Sequence, residues 1–230
     1  MTRPRLLDLF CGAGGAAMGY YRAGFDVVGV DIVNQPRYPF EFHQGDALEY
    51  CAAHGAEFDV IHASPPCQVH TKLKALHAQS GYFDRHVDLV PQTRDLLQSM
   101  GKPYVIENVI GAPLVDPVIL CGTMFDLGCV CKDGKYRQLW RHRQFELSFF
   151  SLTLTCQHKG EPIGVYGNGG AQAKTVWNGG TNRGYMGAKP ERIKAMQIGW
   201  MKNSELSQAI PPAYTEYIGA QLLQALERKV

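Results

Sequence analysis

The chain has 230 residues, of which 45% are hydrophobic and 19% charged, with seven cysteines and a formal net charge of +2. Its length and apolar content support one sizeable core, with a small appended lobe at most. No apolar run reaches membrane-spanning length and the start, "MTRPRLLDLF", lacks a signal-peptide hydrophobic region. The seven cysteines stand at unequal spacings rather than in a disulfide framework, so a cytoplasmic, reduced setting with no membrane partner is expected.

In chain order, "RLLDLF" (5–10), "DVVGVDI" (26–32), "FDVIHA" (58–63) and "PYVIEN" (103–108) are mostly apolar and of strand length, as strands buried on both faces should be. Helix candidates lie between them at "GGAAMGYYRAG" (14–24) and "LVPQTRDLLQSMG" (89–101). The alternation predicts an α/β chain with a doubly wound, mostly parallel sheet. After Leu114 the pattern degrades, and residues 160–187 are rich in Gly, Asn and Thr, which predicts loop-dominated structure. The end turns helical again, with Pro212 in the first turn of a last helix whose Tyr217, Ile218, Leu222 and Leu226 share one face. Charge is unevenly spread: from Lys132 to Lys194 there are 11 Lys/Arg against 4 Asp/Glu. A basic segment on an acidic body suggests a polyanionic partner.

The first strand runs into "DLFCGAGGAAMG", in which Gly12, Gly14 and Ala17 match the G-x-G-x-x-G/A turn that brings backbone close to a nucleotide-like ligand at a helix N-terminus. Asp31 ends the next strand roughly 20 residues on, where an acidic side chain meets ribose hydroxyls. Asp46 follows a further extended stretch, between those at 26–32 and 58–63, a position from which a carboxylate accepts from an adenine amino group. These features fit NAD and S-adenosylmethionine alike. In an open parallel sheet, ligands sit outside the carboxyl ends of the strands. The Gly-rich loop, Pro66-Cys67 and Glu107-Asn108 all follow strand ends and should therefore face one cleft. Cys11 and Cys51 read as buried structural thiols. Cys67 does not, because two prolines fix its backbone and a polar Gln68 follows, which points to a nucleophile on a stiff turn.

"DLFCGAGG", "PPCQ", "ENV", "RHR" and "SQAIPP" stand in the order of the motifs of the cytosine-5 DNA methyltransferase family, which the chain resembles over about its first 145 and last 40 residues. The resemblance implies a Rossmann-like, S-adenosylmethionine-dependent methyltransferase fold with a small, loop-rich target-recognition region. It divides the chain into a catalytic and cofactor-binding unit (1–143), a recognition region (144–188) and a helical return (189–230). It implies S-adenosylmethionine as cofactor and double-stranded DNA as partner. The enzyme would work as a monomer on DNA, with room for a protein partner that completes target recognition.

The family pattern makes Cys67 the nucleophile toward C6 of a flipped cytosine and Glu107 the group that holds or protonates N3. Arg141 and Arg143 would hold the base and its phosphates, Asn108 would brace the loop carrying Cys67, and Pro66 flanks the nucleophile. At the cofactor the pattern places Phe10, Gly12, Ala13, Gly14, Gly15, Asp31, Ile32, Asp46, Ala47 and Pro65. The stretch 69–92 corresponds to a loop that closes over the extruded base. Asn168, Gln172, Lys174, Thr175, Asn178, Asn182 and Arg183 are candidates for contacting DNA, with Tyr166, Trp177 and Tyr185 for stacking.

Three departures stand out. Leu139 replaces the glutamine two residues before Arg141, Ser207-Gln208 replaces a Gly-Asn pair, and only about 45 residues are left for target recognition. An RNA cytosine methyltransferase and a catalytically weak DNA-binding decoy share the same motifs, whereas a nicotinamide dehydrogenase would leave "SPPCQ" and "ENV" without roles. The compact chain, with no attached restriction domain, reads as a stand-alone modification enzyme of viral or mobile-element type. The family pattern calls for no metal, although Cys129, Cys131, Cys156 and His158 form a C-x-C plus C-x-H set of zinc-ligand types.

Overall fold

The structure is a computed structural model, described for residues 2–67, 70, 87–167 and 185–227. Five strands form the parallel body of the central sheet: β1 (Arg5–Leu9), β2 (Asp26–Asp31), β3 (Glu41–Gln44), β4 (Val60–Ala63) and β5 (Tyr104–Asn108). β6 (Val118–Leu120) and β9 (Arg143–Leu147) complete it in the order β3-β2-β1-β4-β5-β9-β6, with β9 antiparallel to both neighbours. The order turns back at β1, with β2 on one side and β4 on the other, and this is where an open α/β sheet leaves a crevice at its carboxyl ends.

Period-two alternation in the strands feeds two cores. Leu6, Val27, Val60 and Val105 face one side, with α1 (Gly15–Ala23) and α6 (Pro212–Glu227). Leu7, Leu9, Val28, Val30, Ile61, Ala63 and Ile106 face the other, with α2 (Ala47–His54) and α3 (Val90–Ser99). The expected face of the last helix is present: Ile218 and Leu222 are fully buried, and Tyr217 and Leu226 pack against the same core. α1 and α6 approach closely because Gly19 has no side chain; a Cβ there would collide with the Pro212 carbonyl and the Thr215 hydroxyl. Thr215 instead donates to the Ala16 carbonyl at 2.8 Å.

Beyond β5 the elements are short. β7 (Gly128–Val130) pairs with β8 (Tyr136–Gln138) and β10 (Ile163–Gly164) with β11 (Tyr185–Met186), before α4 (Lys189–Met196) and α5 (Asn203–Gln208) lead back to α6. The expected division at 143/144 falls at the start of β9, which stands between β5 and the edge strand β6 with Phe145 fully buried. No helix among the described residues is long and apolar enough to cross a membrane.

Candidate active site

The Gly-rich turn after β1 is built on left-handed backbone, with φ of 56° at Phe10, 49° at Gly12 and 82° at Gly14. At Gly14 a Cβ would come within 2.8 Å of Pro39, whereas at Gly12 it would meet no atom within 4 Å. Gly12 therefore leaves open space over the turn. Asp31 braces this turn, accepting from the backbone N–H of Gly12 and of Val33, each at 2.9 Å. Trp200 donates from its indole to the Ala13 carbonyl at 2.8 Å, a support from the C-terminal part that no motif announced. Gly15 opens α1 pressed against the Ile210 carbonyl, so the late "SQAIPP" segment lies beneath the loop. Ile32 and Val33 stand 68% and 61% exposed beside Asp31, an apolar face uncovered at the sheet's crevice. Asp46 caps α2, accepting from Leu48 and Glu49 through one oxygen, and its second oxygen is not used in the cap. Ala47, by contrast, points its side chain into the core.

Cys67 follows β4 through Ser64, Pro65 and Pro66, and Glu107 lies near the end of the adjacent β5. Asn108 joins the two strand ends, donating its amide to the Pro65 carbonyl at 3.0 Å and accepting from Val109 at 2.8 Å. Arg143, at the start of β9, places Nε 3.0 Å from Glu107 Oε1. Arg141 is buried, and its guanidinium donates to the carbonyls of Val165 at 2.9 Å and Ser207 at 2.8 Å. These two carbonyls hold the arginine without the missing glutamine: Leu139 is buried in the core, and Ser207, one of the departing residues, contributes backbone instead. Arg141 Nε is buried with no partner among the described residues.

Electrostatics suit an acid beside a thiol. Burial raises Glu107 above the usual carboxylate range, opposed by Arg143, Arg141 and the Ser64 hydroxyl. Burial and then the Glu107 charge raise Cys67, and the two arginines pull it back down. Arg141 is lowered by burial and by Arg143. The two expected structural thiols are buried: burial drives Cys51 up to about 11 and Cys11 further still, which disfavours the thiolate in both.

Behind Glu107 lies a polar chain that sequence reading missed. Tyr20 Oη is 3.0 Å from His62 Nδ1, and His62 Nε2 is 2.9 Å from the Ser64 hydroxyl that reaches Glu107. Burial lowers His62 to about 3, so the ring is neutral. If Tyr20 donates to Nδ1, Nε2–H donates to Ser64 and the Ser64 proton is left for Glu107. The only signal in the sequence was a histidine inside an otherwise apolar strand.

Other expectations are corrected. Tyr185 is not presented for base stacking: its ring lies under Arg137 at 4.1 Å and its hydroxyl donates to Glu191 at 2.8 Å. The basic segment is also less of a polyanion surface than its charge count suggests, since Arg137, Arg141 and Arg192 are buried. Of the zinc-ligand types noted in the sequence, Cys129 and Cys131 lie in the core, their thiols turned to the carbonyls of Glu191 and Cys129, apart from Cys156 and His158. Gln68, most of the 69–92 loop, Asn168, Gln172, Lys174, Thr175, Trp177, Asn178, Asn182 and Arg183 lie outside the described residues. Tyr166 is described and is 55% exposed.

No family model matches the chain. A curated relative, the Type II methyltransferase M.XorII of Xanthomonas oryzae pv. oryzae, is 30% identical over 129 residues; the match covers 48% of this chain and 29% of that protein, so it spans under a third of the relative's length. Three solved structures share the fold. A putative DNA modification methyltransferase encoded within a prophage of E. coli gives a TM-score of 0.57 at 14% identity, covering 97% of this chain and 99% of that one. The S. pombe Dnmt2 methyltransferase gives 0.56 at 15%, with the same coverage. The Entamoeba histolytica methyltransferase EhMeth gives 0.56 at 12%, covering 100% and 99%. The chain thus has the fold of these three methyltransferases, and the curated match agrees with the resemblance carried by its motifs.

Proposed function

We propose that the chain is a DNA (cytosine-5)-methyltransferase that uses S-adenosylmethionine and attacks a flipped cytosine through Cys67. The observation that carries this reading is the meeting of Cys67, Glu107 and Arg143 at neighbouring strand ends, with Glu107 biased toward its acid form. The cofactor residues fit: open space over Gly12, the braced Asp31, the free oxygen of Asp46 and the uncovered Ile32 make a cradle for an adenosyl group. S-adenosylmethionine, when bound, supplies an electrophilic methyl group.

The chain's own residues prepare the acceptor. A pyrimidine carbon is a poor nucleophile until its conjugation is broken. The Cys67 thiolate bonds to C6 while Glu107 delivers a proton to N3, and the ring's electron pair becomes available at C5. Once C5 carries the methyl group, a base removes its proton, the C6–S bond breaks with its pair returning to sulfur, and N3 gives its proton back to Glu107. Arg143 and Arg141 hold the carboxyl group and the base, and Asn108 fixes the Pro65-Pro66 turn so that the thiol is presented. The target must leave the duplex, because C6 is unreachable within the stack. The chain acts as a monomer, with target reading between 144 and 188 or completed by a partner.

Duplex DNA containing 5-fluorocytosine tests the reading. Fluorine at C5 blocks the final elimination, so a denaturation-resistant adduct should form with S-adenosylmethionine and disappear in Cys67→Ala. An adduct formed only with RNA would transfer the proposal to RNA. An equal yield from Cys67→Ala would remove it.

A further inference from the structure

Outside this site, four side chains of metal-ligand type converge where no expectation placed them together. Cys121 follows β6, His142 stands between Arg141 and Arg143, and Cys156 and His158 come from the irregular stretch after β9. Their ligand atoms all lie within 4.8 Å of one another. Cys156 Sγ is 2.8 Å from His158 Nε2 and 3.5 Å from His142 Nε2, and Cys121 Sγ is 3.4 Å from His158 Nε2. Tetrahedral zinc with Zn–S near 2.3 Å and Zn–N near 2.0–2.1 Å would space such atoms by about 3.3–3.8 Å, so small adjustments make a coordination cage. We propose that Cys121, His142, Cys156 and His158 form a closed, four-ligand zinc site that fastens the segment after β9 to the end of β6 and to the strand entering β9.

The surroundings are built as ligand support. Trp140 stacks on the His158 ring at 4.2 Å and 14°, fixing its orientation. The Thr123 hydroxyl lies 3.4 Å from both thiols and accepts from the Gln157 backbone at 3.2 Å. Such contacts set the orientation of metal ligands and tune their basicity.

The segment also needs a fastener. From Leu152 to Pro162 no residue is buried, and Leu152 itself is 62% exposed. Apolar packing therefore does not hold it, whereas a metal staple would. Binding displaces two thiol protons to solvent, and two thiolates then cancel the dication. The neutral unit needs no counter-ion and does not repel the arginines that flank His142. Two thiolates and two imidazoles in tetrahedral array select zinc among the available divalent ions, and four protein ligands leave no open position, so the metal is structural.

Alternation along the extended "RHR" segment explains how one stretch serves two sites. His142 turns toward the cysteines, while Arg141 and Arg143 turn toward Val165, Ser207 and Glu107.

The test is metal content by plasma mass spectrometry on full-length protein purified under reducing conditions without a polyhistidine tag, followed by exchange with Co2+. About one zinc per chain is expected, as is the intense visible absorption of tetrahedral cobalt with a thiolate charge-transfer band. Cys156→Ser and His158→Asn should each lose the metal on dialysis, and Cys129→Ala should keep it. Wild-type protein that holds no zinc and gives no tetrahedral cobalt spectrum would overturn the site, as would a Cys121–Cys156 disulfide in the reduced preparation. Zinc lost by Cys129→Ala but kept by Cys156→Ser would overturn the ligand set. The wild-type measurements decide the matter even if a variant fails to fold.

Discussion

Arg143 Nε lies 3.0 Å from Oε1 of Glu107, and this ion pair opposes the rise that burial imposes on the carboxyl group. The same cation also lowers Cys67. Removing it as Arg143→Met should therefore raise both groups and move both limbs of the pH profile of kcat/KM to higher pH. Methyl transfer from labelled S-adenosylmethionine across the pH range reads this directly. A profile that drops in height without moving would limit Arg143 to substrate binding.

Glu107→Gln separates chemistry from binding. On the proposed mechanism an amide keeps the shape but has no carboxyl proton to give N3, so turnover should fall by about 10²–10⁴-fold. Cofactor affinity by calorimetry should be unchanged, because the proposed cradle at Gly12 and Asp31 belongs to other strand ends. Wild-type turnover in this variant would make Glu107 a structural residue.

Asp8 makes stability depend on pH. It is buried beside His62 at 3.9 Å and accepts from Tyr38 at 3.3 Å, and burial raises it from 3.8 to about 8. Between those values the unfolded chain has released the proton and the folded chain retains it. Stability is therefore fully present below about pH 4 for this group and is lost as pH climbs toward 8, by at most about 1.4 kcal/mol per pH unit. Urea unfolding at pH 6 and pH 8 should show this fall in the wild type and a smaller one in Asp8→Asn. An equal fall in both would assign the slope to other groups.

The parallel half of the sheet was legible because doubly buried strands need continuous apolar runs, and "RLLDL", "DVVGVD" and "YVIEN" supply them. The strands β6, β7 and β8 were not, since three residues each is too short for a period to register. At the site, the motifs carried Cys67, Glu107 and both arginines, but not the Tyr20–His62–Ser64 chain behind Glu107. Its three members come from α1, β4 and the following turn, and only the register of the sheet brings them together. The spacing of the zinc-ligand types is uninformative for the same reason. Cys129 and Cys131 look equivalent to Cys156 and His158 in spacing, yet the hairpin of β7 and β8 turns them into the core while β6 and β9 deliver Cys121 and His142.

Among the described glycines, Gly19 in the contact between α1 and α6 leaves the least room for a side chain. At Gly19 an added Cβ would strike the Pro212 carbonyl, the Thr215 hydroxyl and the Glu216 backbone nitrogen, two of which are backbone and cannot rotate away. The gap is closed further by Thr215 bonding to the Ala16 carbonyl. Gly19→Ala gains a better helix former in mid-helix, worth about 1 kcal/mol. Forcing the helices apart over a packed core should cost about 1–3 kcal/mol or more, so the net effect is destabilising. Because α6 is continuous with the "SQAIPP" segment under Gly15, the shift would also reach the proposed cofactor cradle. Gly19→Ala should thus lower the urea midpoint and weaken S-adenosylmethionine binding together, whereas Gly101→Ala, in open space at the surface, should leave the cofactor untouched. Thermal and calorimetric data showing wild-type stability in Gly19→Ala would mean that the helices part without cost.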